Sequence, residues 1–126
     1  MRDASGLTLQ FSRHPLGLRA HATGRNSLPN AIACWQAIVA ELQDRPERAL
    51  LLVDELHGAP LLADDWRAVL TAMAGRGLEQ VRIAHVRPAG RQPVEHCEIF
   101  ARDAGIEARV FHDEAAGERW LRYGNV

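Results

Sequence analysis

The chain has 126 residues, 47% of them hydrophobic and 25% charged, which gives one globular domain spanning 1–126 whose core needs neither disulfides nor metal. Fifteen basic residues, all arginine, stand against sixteen acidic ones for a net charge of −1, and no block of either sign dominates a segment. No field able to collect nucleic acid or an anionic membrane is therefore expected.

The N-terminus MRDASGLTLQFSRH carries no apolar core of signal-peptide length, and the longest apolar run, ALLLV at 49–53, is far too short to span a bilayer. The sequence reads as cytoplasmic. Residues 7–13 and 16–23 alternate apolar and polar about a His14-Pro15 break, the pattern of an opening β-hairpin. After a loop, Pro29 suits the first turn of a helix over 30–44, with Ala31, Cys34, Trp35, Ile38 and Leu42 on one face and Pro46 as its stop.

Residues 48–54, RALLLVD, form a continuous apolar run, as in a strand buried on both faces. Trp66, Val69, Leu70 and Met73 make the stripe of a second helix ended at Gly75–Gly77. A strand follows at 81–86, then a Pro/Gly turn, then a helix near 94–104 with the stripe Val94, Cys97, Phe100, Ala101 and Ala104, closed by Gly105. The segment 106–112 reads as a strand with Ile106, Ala108, Val110 and His112 on one face. Asp113 then caps a last helix bearing Ala116, Trp120, Leu121 and Tyr123. The order ββαβαβαβα predicts an α/β fold: one mixed sheet, its later strands parallel, covered by helices. A hairpin edge at 16–23 offers unpaired backbone for a homodimer.

Open α/β sheets gather ligands beyond the carboxyl ends of their parallel strands. His57, His85 and His112 fall near such ends, accompanied by Asp54, Glu55 and Asp113. That set suits acid/base work or zinc. The competing reading is structural, because a strand histidine is usually satisfied by backbone or carboxylate, and the chain lacks HxxxH, HxH and HExxH spacings. No cofactor or metal is expected.

Nucleophilic catalysis has little support. There is no GxSxG elbow, Ser5, Ser12 and Ser27 lie in the first 27 residues, and Cys34 and Cys97 sit on apolar helical faces as buried thiols. Arg87 and Arg91, ahead of a helix start, are candidates for holding an anion, without the glycine spacing of a phosphate loop. Trp35, Trp66 and Trp120 read as core or as the lining of an apolar groove.

Three stretches carry a family likeness: ALLLVDELHG followed by a helix, the strand VRIAHV, and the ending AGIEARVFHDEAAGERWL. Together they make residues 48–123 similar to the SpoIIAA-like branch of the STAS domains, which is related in fold to the CRAL-TRIO lipid-binding domains. The resemblance implies a non-enzymatic regulatory or binding module acting through protein–protein contact or a small apolar ligand. A lipid or small-molecule carrier is the first alternative, with Trp35, Trp66 and Phe100 lining its cavity. A small hydrolase or metal enzyme using His57, His85 or His112 with Asp54 is the second. STAS antagonists of anti-sigma factors carry a phosphorylatable serine at a helix start. Laid on this chain, that pattern puts Asp54 at the strand-end aspartate and Ala63, Asp64 and Asp65 at the acidic-Ser-Ser positions. No hydroxyl occurs between Leu51 and Val69, so a phosphorylation switch cannot operate there. Asp64 and Asp65 become a permanent negative charge favoured by the helix dipole. The residues expected at a partner or ligand site are thus Asp54, His57, Asp64, Asp65, Trp66, His85, Arg87 and His112.

Overall fold

The computed structural model describes residues 6–88 and 94–124, with the backbone alone for 94–97. Five strands form one sheet in the order β1-β2-β3-β4-β5. The hairpin pairs β1 (Thr8–His14) with β2 (Gly17–Arg25) antiparallel, and the His14 ring accepts the Leu16 N–H at 3.1 Å to close the turn. From β2 onward every pairing is parallel: β2 with β3 (Ala49–His57), β3 with β4 (Arg82–Val86), and β4 with β5 (Ala108–Phe111). The expected single mixed α/β sheet is the architecture of this chain.

Alternation divides the side chains between two faces. Leu18, Ala20 and Ala22 of β2, Leu50, Leu52 and Leu56 of β3, and Ile83 of β4 pack in one core cluster with residues of α1 (Leu28–Asp44), α2 (Ala63–Met73) and α3 (Val94–Asp103). Leu51, Ala84 and Val86 pack on the opposite face against Trp120 and Leu121 of α4 (Glu114–Tyr123). That helix sits close because Gly117 faces the sheet: a Cβ there would lie 3.1 Å from Val86 and 3.3 Å from Leu51. Beyond α4 the same face stays polar, with Arg19 of β2 holding Glu114 through two hydrogen bonds at 2.9 and 3.2 Å.

Helix starts follow local chemistry. Ser27 caps α1, its Oγ accepting the Asn30 N–H, with Pro29 in the first turn; Asp113 caps α4, accepting the Ala116 N–H at 2.7 Å. Gly105, at φ +78°, ends α3 in the left-handed conformation.

Several expectations are corrected. Strand β3 runs on to His57, because β2 is long enough to pair Ala22 to Arg25 with Asp54 to His57. Strand β5 ends at Phe111, and His112 lies exposed beyond it. Tyr123 is exposed rather than on the α4 stripe, as is Ala104, just past the end of α3. The segment 16–23 is no edge: β2 is paired on both sides, and the sheet edges are β1 and β5. Arg91 and the side chains of Val94 and Cys97 lie outside the described residues. No helix among those described is long and apolar enough to cross a membrane.

Gly24, at φ +129° in β2, has no room for a side chain, since a Cβ would fall 2.5 Å from the Gly6 carbonyl oxygen. Gly24→Ala is expected to destabilise the fold by at least about 2 kcal/mol, from the positive φ and the backbone clash together. The check is a lowered urea midpoint at unchanged slope.

Candidate functional site

The structure unites three of the expected site residues. Asp54 lies on the β3 row that carries Leu52 and Leu56, and His85 lies opposite Leu52 in β4. Two residues on from His85, Arg87 leaves β4 on the same side, and its backbone N–H is held by the Phe111 carbonyl at 2.8 Å. His85 Nε2 lies 2.8 Å from Asp54 Oδ2, and Arg87 donates to the same oxygen at 2.9 Å. The other carboxylate oxygen, Oδ1, accepts the Leu56 N–H at 3.0 Å. An ionised carboxylate only accepts, so His85 Nε2 carries a hydrogen in this arrangement.

Asp54 and His85 are buried, at 5% and 1% exposed, and Arg87 is half-buried. Two tryptophans stand edge-on to the imidazole, Trp35 of α1 and Trp66 of α2, each with its ring centroid 6.1 Å away. Burial by itself raises the Asp54 carboxyl. The hydrogen bond from His85, the charges of His85 and Arg87, and the Leu56 amide outweigh it and hold the group below the usual carboxylate range. Cys34 on α1 is buried, and the loss of solvent pushes its thiol up to about 12. It is an inert packing residue, as its helical position predicts.

Trp66, also expected at the site, thus packs on this centre, whereas the other expected residues stand apart from it. His57 and His112 are exposed, with no side-chain hydrogen bond among the described residues. Glu55 points to the other face, where its carboxylate lies 2.6 Å from His21 Nε2. Asp65 reaches back to accept the Leu62 N–H at 3.0 Å, fixing the start of α2. Asp64 is open to solvent and 3.8 Å from Arg67. Among the described residues no group of three or more His, Cys, Asp or Glu is placed to hold a metal ion.

Trp66 is 5% exposed, and its Nε1 has no hydrogen-bond partner among the described residues. The cavity it lines with Trp35, His85, Val69, Met73 and Ile106 measures about 20 Å³. That is room for a single water, far below the ~300 Å³ of a small-molecule pocket. The tryptophans are core, and the groove reading does not hold at this place.

No family model matches the chain, and no curated protein matches it significantly.

One surface residue here escaped the sequence reading. Leu62, directly before α2, is 71% exposed. Its only signal was an apolar residue in the N-cap position, where a capping side chain is the norm.

Removing the carboxylate's charge takes the Asp54 anion from buried His85 and from half-buried Arg87. Asp54→Asn is expected to cost about 3–5 kcal/mol of stability, read from urea unfolding at neutral pH. The folded carboxyl ionises below its ordinary 3.8, so as pH falls the unfolded chain takes up the proton first. Its contribution is complete above about pH 5 and is lost as pH drops through the folded value. The Asp54→Asn variant should therefore lose less stability than the parent between about pH 5 and pH 2, and equal slopes there would contradict the assignment.

Proposed function

We propose that the protein is a non-enzymatic binding module of the STAS/SpoIIAA-like kind, acting through protein–protein contact at the carboxyl edge of its sheet. The observation that carries this reading is the burial of the ionisable groups at the strand ends, with Asp54 5% and His85 1% exposed. A general acid or base has to come within hydrogen-bond reach of its substrate. Here the histidine and its carboxylate are spent on each other and on Arg87, beneath two tryptophans. The small cavity under Trp35 and Trp66 argues against a carrier that holds its cargo at this place.

The contact surface we assign is the start of α2. Leu62 projects into solvent beside Asp64, and the Asp65 carboxylate holds the Leu62 backbone in place. An apolar side chain on a fixed backbone, next to a solvent-exposed negative charge, is preorganised for an apolar pocket rimmed by a basic group. Asp64 and Asp65 stand in the first turn of α2, where the helix dipole favours negative charge. By the STAS resemblance, these positions fall where the anti-sigma-factor antagonists carry the serine of their switch. The domain is then a constitutive partner-binder, without a phosphorylation step at this helix.

The test is photo-crosslinking in the cells that make the protein, with benzoylphenylalanine at position 62 and, as control, at exposed Ser12 on β1. A discrete protein adduct from position 62, absent from position 12 and lost on Asp64→Arg, is the expected result. Equal labelling from both positions, or none from position 62, would refute the assignment.

A further inference from the structure

A broad cleft lies at the opposite edge of the sheet, by the amino ends of β3 and β4, and nothing in the proposed function uses it. It is an open cleft of about 860 Å³ between the segments 39–48 and 76–81. That volume lies within the ~300–1,000 Å³ typical of small-molecule sites. Its floor is apolar: Val39 and Leu42 from the end of α1, Leu78 from the short 3-10 turn Leu78–Gln80, then Val81 and Leu16.

Two arginines border this floor, one from each segment. Arg48 directly precedes β3, and its backbone is fixed because its carbonyl accepts the Arg82 N–H at 2.9 Å. Arg76 follows α2, and its Nε donates to the Ala72 carbonyl at 3.1 Å, which leaves both terminal nitrogens for another acceptor. Neither guanidinium has a carboxylate partner among the described residues, whereas Arg19, Arg82 and Arg87 each have one. The one acidic residue in the lining is Glu47.

We infer that this cleft binds an amphipathic monocarboxylate, its apolar body on the Val39–Leu42–Leu78–Val81 floor and its carboxylate held by Arg48 and Arg76. The planar fork of a guanidinium matches a carboxylate through two parallel hydrogen bonds. Two arginines against one glutamate leave a lining charge of +1, which complements a monoanion better than the dianion of a phosphate monoester. An uncharged apolar molecule would satisfy the floor and leave both arginines without an anion. An inorganic anion would satisfy the arginines and leave the floor wet.

The experiment titrates the full chain with sodium decanoate below its micelle concentration, following backbone amides by NMR and heat by calorimetry. Decanol and inorganic phosphate serve as comparison probes. Saturable one-site binding is expected, with shifts concentrated in residues 39–48 and 76–81 and weaker binding of both comparison probes. Arg48→Gln and Arg76→Gln should each weaken decanoate about tenfold, the loss expected for a charge-assisted hydrogen bond. Decanoate shifts centred elsewhere, or a double variant that binds decanoate like the parent, would overturn the proposal. Phosphate binding as tight as decanoate would reduce the cleft to a plain anion site and also overturn it. Should either variant unfold, the shift map of the parent protein still decides. The outcome is independent of crosslinking at Leu62, which probes the other edge of the sheet.

Discussion

The Asp54 carboxylate is a charge that this fold has to accommodate inside its core. Burial opposes ionisation, and two cationic or polar side chains and one backbone amide reverse that opposition. The solution fixes much else. His85 reaches Asp54 only if β3 and β4 run parallel with Leu52 opposite His85. Arg87 reaches it only if the chain leaves β4 on the same side, which the hydrogen bond from Arg87 N–H to Phe111 secures. A one-residue slip in that register would send His85 to the α4 face and leave the carboxylate without its partner. The cluster therefore acts as a lock on strand pairing, in keeping with the view that buried polar contacts specify one arrangement more than they stabilise it.

The same lock bears on function. A histidine hydrogen-bonded to a carboxylate at the carboxyl end of a parallel sheet has the parts of an acid–base pair, but the helices that complete the core close over it. Trp35 and Trp66 come from different helices and meet at one imidazole, so α1 and α2 are both committed to this enclosure. At the carboxyl edge solvent still reaches Leu62 and Asp64, at the start of α2. At the amino edge, the segments after α1 and α2 diverge around an apolar floor with two arginines. A buried carboxylate–histidine pair thus lies at one end of the sheet and an open cleft at the other.

The elements were legible where local chemistry is decisive. Apolar spacing placed α1 on the face of Cys34, Trp35 and Ile38; Asp113 announced α4; the run at 48–54 marked the strand buried on both sides. Boundaries slipped where a neighbour decides them. Strand β3 continues through Glu55 and His57 because β2 supplies hydrogen bonds there. The strand expected to reach His112 stops at Phe111, beyond which the chain turns into the Asp113 cap. In the candidate site, period-two alternation alone puts Asp54 in the row of Leu52 and Leu56, and Arg87 in the row of His85. It cannot say that the two rows adjoin at the height that joins one carboxylate to both.

By itself the sequence determined the succession of strands and helices, the caps that start α1 and α4, and the burial of the three tryptophans. Each of these rests on interactions within a few residues or on the period of apolar side chains. Only the tertiary structure decided that Asp54, His85 and Arg87 share one site while His57 and His112 stay in solvent. It also decided that Arg48 and Arg76 border the same cleft, and that β2 lies inside the sheet. Those outcomes depend on strand register and on which helix covers which face, and both are set by contacts between residues about 30 or more positions apart, beyond the reach of any local pattern.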